Sequence, residues 1–305
     1  MRPPRDRTRR RGAWVALAVG AALIALAVLA ISRSGGHRSN DDYAAFAACP
    51  LHDPQTDLCL FTQTTGGEFV IGSETVPLSR TITLQGGIHV VKNSEREVVK
   101  DEFIAAAGGE TLSKASQDIP GGLRAVVNPN LLDPATRKVF DRLLASGSTQ
   151  VTATIELATA ASSIGVSTQN LIEARGIGLA LPLKLRLSNP FLGEKCYIGA
   201  NADPIVVALT TGRIEKTRLS ALDRPLVGKP GHASFKDDYN LIVLSEESLL
   251  SDSFAAPRAE GCGGTGSLAI DRAVDAGLGL PAAAGRNRAV LDVTLHDANA
   301  PAVVG

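Results

Sequence analysis

The sequence predicts a mainly β protein: an antiparallel sandwich or barrel-like domain with about two short helices, behind one N-terminal transmembrane helix. Several segments alternate apolar and polar residues with a period of two, as strands buried on one face do. Glycine, proline and Asn/Asp punctuation separates them at short intervals, and only two stretches keep helical spacing. Ahead of them all, residues 12–32 form an uncharged run made almost entirely of Ala, Leu, Val and Ile.

That run decides where the chain sits. The 21 residues from Gly12 to Ser32, at about 1.5 Å each, match the roughly 30 Å of a bilayer core. Residues 1–11 hold Arg2, Arg5, Arg7, Arg9, Arg10 and Arg11, whereas only Arg33 and Arg38 follow closely. The positive-inside rule therefore reads 1–11 as a cytoplasmic tail and 12–32 as a single-pass anchor, with Trp14 at the interface. A cleavable signal peptide is the alternative, giving a secreted protein. Its apolar core would be shorter, and the one small-x-small site, Ala25-Leu26-Ala27, lies inside the run. Arg10-Arg11 lacks the surroundings of a twin-arginine export signal. Both main readings place the rest outside the cytoplasm, with residues 33–42 as a polar tether and 43–298 as one extracytoplasmic β-rich domain.

Within that domain, Val151, Ala153, Ile155 and Leu157 share one face of a strand. Leu179, Leu181, Leu183, Leu185 and Leu187 share another over nine residues. Pro182 cannot donate to a ladder, so this second strand is expected at an edge or with a bulge. Leu291, Val293 and Leu295 give a last strand. Shorter candidates are 59–64, 67–72, 80–85, 87–92, 102–106, 204–211 and 239–245. Asp133-Pro134 opens one helix as N-cap and first residue, with Val139, Leu143 and Leu144 on its apolar side until Gly147. A second helix, about 265–277, sets Leu268, Ala269, Ala273 and Val274 on one side and stops at Gly277.

The four cysteines, Cys49, Cys59, Cys196 and Cys262, all follow the anchor. An even count in an oxidising compartment reads as two disulfides with three possible connectivities. Nearest-neighbour pairing is the expected one. On the chain-entropy model it stabilises by about 2.7 kcal/mol for Cys49–Cys59 and about 4.4 kcal/mol for Cys196–Cys262. Zinc favours close pairs such as C-x2-C, which these spacings do not offer. Gly261, Gly263 and Gly264 around Cys262 would let the backbone pass close to the Cys196 segment.

Charge and motifs narrow the function by exclusion. Of 31 basic and 31 acidic side chains, residues 1–38 hold eight Arg and one acid, Asp6, which leaves 23 basic and 30 acidic groups beyond them. A net-acidic domain without a basic stripe argues against nucleic-acid binding. No G-x-S-x-G, S-x-x-K, H-E-x-x-H or P-loop occurs, and Gly176-Ile-Gly178 and Gly277-Leu-Gly279 read as turns. His37, His52, His89, His232 and His296 stand singly and read as exposed loop and strand residues. Asp237-Asp238 and Glu246-Glu247 read as solvated charge flanking a strand. No calcium loop is present. Beyond the anchor there is no Trp, and Tyr43, Tyr197 and Tyr239 are the only tyrosines, which weakens a sugar-binding reading.

Several segments carry a resemblance: Tyr43 to Pro50, Thr65 to Phe69, Ile82 to Gly87, Ser188 to Gly193, Cys196 to Gly199, and Ser253 to Pro257 with Gly261 to Gly264. In these the chain resembles an uncharacterised family of secreted or membrane-anchored actinobacterial proteins. The resemblance implies an extracytoplasmic domain and brings no activity, cofactor, fold or ligand with it. Members of that family more often start with a cleavable signal peptide, from which the Arg cluster and long apolar run here depart. The expectation is a non-enzymatic cell-surface binding or structural module, held to the membrane through 12–32, with no cofactor. The alternative is a secreted hydrolase whose site assembles only in three dimensions. A lipid-facing barrel is a third reading, but only 179–187 approaches the strand length it needs.

Overall fold

The computed structural model describes residues 42–215, 225–264 and 268–304. The 12–32 run lies outside them, and among the described residues no helix is long and apolar enough to cross a membrane. In chain order the elements are β1 (Leu58–Ile71), β2 (Glu74–Pro77), β3 (Thr83–Lys92), β4 (Val98–Ala105), β5 (Ser116–Asp118), α1 (Leu123–Val126), α2 (Pro134–Ala145), β6 (Thr152–Leu157) and β7 (Gly165–Val166). There follow α3 (Thr168–Glu173), β8 (Leu179–Asn189), β9 (Gly193–Ile198), β10 (Ile205–Leu209), β11 (Arg213–Ile214), β12 (Leu226–Val227), β13 (His232–Lys236) and β14 (Leu241–Ser251). The last are β15 (Ala259–Glu260), α4 (Leu268–Leu278), β16 (Arg288–Asn299) and α5 (Ala300–Val304). The domain is β-rich and antiparallel as expected, but it carries five helices among the described residues where the sequence predicts about two. The additional ones, α1, α3 and α5, have four to six residues, too few turns to show a 3.6-residue period.

The strands close on themselves. Neighbours run β14–β16–β1–β3–β4–β7–β8–β10, every pair antiparallel. A bridge between Thr210 and Leu250 then joins the end of β10 back to β14, with backbone bonds of 2.9 and 2.8 Å. Eight strands thus make a ring, which removes their free edges. A second sheet, β5–β6–β8–β9–β15, grows from the same β8: residues 179–183 lie between β7 and β10, and residues 183–189 between β6 and β9.

This explains Pro182, which is neither at an edge nor at a bulge. Its carbonyl accepts from Ala158 N–H at 2.9 Å. Backbone N and C=O of one strand residue point the same way, so the missing donor faces the place where β6 has just ended at Leu157. The register shift of β8 lies elsewhere, between Leu187 and Asn189. Candidates 59–64 and 67–72 merge into β1, which continues through Gly66 and Gly67 with a bulge after Thr64. Candidates 80–85 and 87–92 similarly merge into β3.

Asp133 caps α2 as expected, accepting from Ala135 and Thr136 N–H at 3.0 and 3.1 Å. Its buried contact is Phe140, edge-on to Phe191 at 5.3 Å, whereas Val139 is exposed. In α4 the buried face is Ile270, Ala273, Val274 and Leu278, with Leu268 exposed. Gly277 does not end that helix. It lets α4 meet α1: a Cβ at Gly277 would fall 2.3 Å from the Val126 carbonyl oxygen.

One large apolar cluster fills the barrel and continues under α1, α2 and α4. A smaller one, Phe46, Cys49, Cys59, Leu241, Ala298 and Ala300, seals the chain entry onto the barrel wall. All four cysteines are bridged, Cys49 to Cys59 with Cα atoms 5.5 Å apart and Cys196 to Cys262 with Cα atoms 4.0 Å apart. Two bridges are consistent with an oxidising, extracytoplasmic environment.

Candidate functional site

Strand register brings three carboxylates onto the inner face of the barrel. Glu247 pairs with Val293 across β14 and β16, on the side that also carries Leu249, Leu291 and Leu295. Asp297 pairs with Leu60, two residues beyond Leu295 and on the same face. Asp101 pairs with Val90 and Val166, two residues from buried Phe103.

Glu247 is 0% exposed and neither carboxyl oxygen has a hydrogen-bond partner. Desolvation pushes its pKa up to about 8, so it is mostly protonated at neutral pH. It overturns the expectation of solvated charge at Glu247, whereas Glu246 is exposed as expected. Glu246 sits at φ 56° in a bulge of one extra residue, where Ser245 and Glu246 together face Thr294 of β16, and this bulge turns Glu247 inward. At Asp297, burial and then the like charge of Asp101 raise the pKa to about 7. Asp101 Oδ2 accepts from both N–H and Oγ1 of Thr168 at 2.8 Å, while its Oδ1 and Asp297 Oδ1 are out of solvent without partners.

The histidines divide. His89 Nδ1 meets Asp57 Oδ2 at 2.9 Å, and that same oxygen accepts from Val90 N–H at 2.8 Å. His52 and His232 are exposed as expected. His37 lies outside the described residues. His296 corrects the expectation, for it is half-buried on the outer wall with Phe46 and Phe61 edge-on at 6.5 and 5.9 Å. Desolvation and, after it, the charge of Lys236 lower its pKa. Among the described residues no Ser or Thr hydroxyl hydrogen-bonds to a histidine ring, so the nucleophile–base contact of a hydrolase triad is missing there.

A concavity lies elsewhere, beside the second disulfide. The turn after β9, β15 and α4 enclose a cavity of about 560 Å3 lined by Asp203, Arg258, Glu260, Asp271, Arg272 and Asp275. Two of these acids hold the walls together. Asp275 Oδ1 accepts from Ala259 N–H at 2.8 Å and its Oδ2 from Arg258 at 3.2 Å. Asp271 Oδ1 accepts from Cys262 N–H at 2.7 Å. One helical turn apart on α4, they tie the disulfide segment to the helix. The tie is close because Gly261, at φ +73°, passes the Lys195 carbonyl oxygen where a Cβ would be 2.3 Å away. Glu260, Asp203, Arg272 and the rest of the Arg258 guanidinium line the opening.

The concavity and the most strongly raised carboxyls therefore do not coincide: Glu247 and Asp297 are in the barrel, and neither lines the cleft. Among the described residues no group of three or more His, Cys, Asp or Glu side chains is arranged to hold a metal ion. No protein-family model, curated protein or solved structure matches the chain.

The four cysteines named from sequence are staples, one at the chain entry and one at the cleft. Sequence reasoning missed Glu247 and Asp297. For Asp297 a signal existed, since continuing the period from Leu291, Val293 and Leu295 by one step lands on it. For Glu247 there was none, because the bulge breaks the alternation ahead of it.

Proposed function

We propose that the chain is an extracytoplasmic binding or structural module, held at the cell membrane by residues 12–32. The observation carrying this reading is the separation just described. A catalytic cleft gathers titratable groups of displaced pKa at its concave surface, whereas here Glu247 and Asp297 are locked inside a barrel, and two of the four cleft acids, Asp271 and Asp275, are spent on structure. The same cleft presents Arg258 and Arg272 beside Asp203 and Glu260, a pattern suited to a polar ligand carrying both charges, such as a peptide segment. Two disulfides and the apolar run of bilayer length support the outside location.

The test is to express the full chain in a bacterial host, wash the membranes with carbonate, and measure intact mass with and without thiol alkylation. A membrane-retained product that keeps residues 1–32 and alkylates at no cysteine is expected. A soluble product beginning near residue 28–40 would replace anchoring with secretion. Reactive thiols would remove the oxidised-domain argument altogether.

A further inference from the structure

We infer that the barrel end at which the chain enters rests on the lipid surface, with the β13–β14 hairpin as its contact. This rests on the anchor reading of residues 12–32 and adds an orientation to it.

Strand pairing identifies that end. The start of β1 lies beside the end of β16 and the middle of β3, with Leu58 opposite both Asn299 and Ile88. The β14 start joins the same end, Leu241 opposite Ala298. The β3–β4 hairpin extends beyond it, since Lys92 pairs with Val98 four residues past Ile88. The entry segment is fastened here by two contacts: Lys236 Nζ to Asp42 Oδ1 at 2.6 Å, and Tyr43 OH to Asp237 Oδ2 at 2.5 Å.

The distance to the bilayer is short. Only residues 33–41 separate the apolar run from Asp42. Nine residues of any conformation reach at most about 30 Å. A domain tied at one end by so short a segment keeps that end nearest the membrane.

The surface of this end fits such a neighbour. Among the described residues thirteen large apolar side chains are exposed, and six of them are here: Leu51, Val98, Val99, Phe235, Tyr239 and Val304. Phe235 and Tyr239, 54% and 62% exposed, pack on each other with ring centroids 5.2 Å apart. A tyrosine ring is favoured at headgroup depth, where its body is apolar and its hydroxyl wet, and Phe235 adds apolar area beside it. Positive charge does not choose the contact, because Lys92, Arg96 and Lys100 alternate with Glu95, Glu97 and Glu102 on the β3–β4 hairpin, and the β13–β14 turn itself carries Asp237 and Asp238 beside Lys236. The occupant is therefore a lipid headgroup layer met through aromatic and apolar groups, on phosphatidylcholine as well as on phosphatidylglycerol.

The full chain has one tryptophan, Trp14, which makes the test direct. The unmodified chain is reconstituted in vesicles containing brominated phosphatidylcholine, alongside two variants in a Trp14→Phe background, Phe235→Trp and Val139→Trp. Val139 is exposed on α2, whose Phe140 packs by the far turn after β8. Quenching of Trp14 and of the indole at position 235, with a blue shift of the latter and no quenching at position 139, is the expected result. It should survive high salt and the exchange of phosphatidylglycerol for phosphatidylcholine. If Trp14 is quenched while the indole at 235 behaves like the one at 139, the orientation is wrong and the anchor stands. If Trp14 itself is unquenched and the chain washes off the vesicles, the anchor reading fails and takes this inference with it. Quenching at 235 that salt abolishes would mean electrostatic adsorption and would overturn the aromatic contact.

Discussion

Replacing Glu247 by Gln measures what one buried carboxyl costs this fold. The side chain is 0% exposed and its pKa stands at about 8 against an ordinary 4.5. Between these values the folded chain holds its proton while the unfolded chain has released it. The contribution of this carboxyl to stability is therefore fullest below pH 4.5 and falls as pH rises, by about 1.4 kcal/mol per unit, until the loss levels off near pH 8. From pH 5 to pH 7.5 the single-site linkage amounts to about 3 kcal/mol. Gln keeps the shape and the unpartnered polar atoms but cannot ionise, so every pH-independent cost cancels in the comparison. The variant should gain on the parent by about 3 kcal/mol over that range, or about 6–12 °C in Tm for a domain of this size. Urea denaturation of the disulfide-intact protein at half-unit pH intervals reads it. Stability curves that stay parallel from pH 5 to pH 8 would refute the reasoning, because they would mean that Glu247 titrates alike in the folded and unfolded chain.

Three other outcomes follow from the geometry. Cys196→Ser combined with Cys262→Ser should lower stability by about 4 kcal/mol under oxidising conditions, and the difference from the parent should vanish in reductant; equal deficits in both would deny the bridge its role. Gly277→Val places atoms against the Val126 carbonyl oxygen and should cost about 1–3 kcal/mol as α1 and α4 separate, and an unchanged Tm would show that the helices yield freely. Asp101→Asn removes the like charge facing Asp297 and should lower the Asp297 pKa from about 7, which carboxyl carbon NMR titration detects; an unmoved titration would mean that burial alone sets it.

The sequence was most informative where a strand buries one face and leaves the other wet. Leu179 to Leu187 alternates without a break because its inner residues meet the barrel or the second sheet along the whole length. Reasoning from Pro182 failed for a local cause: one missing donor is harmless wherever the neighbouring strand has already ended, and sequence does not show where that is. Glu247 misled for a related reason, since a bulge shifts every later residue relative to its partner strand. The cleft was invisible because its walls come from the turn after β9, from β15 and from α4, and a two-residue strand leaves no period to read. The disulfide pairing was legible because nearest neighbours along the chain were also neighbours in space.

The Cys49–Cys59 bridge bears on how the domain would take a mechanical load. A pull on the N-terminal segment passes through the sulfur atoms and bypasses residues 50–58, so that stretch cannot pay out under tension. The force arrives at Cys59, already inside β1 and flanked by Ala298 on one side and Gly87 on the other. A tug along that strand then strains the ladders to β16 and β3 together, instead of peeling bonds one by one from Leu58. Reduction of this one bridge would turn a grip on the barrel wall into a slack leader, leaving the rest of the barrel closed.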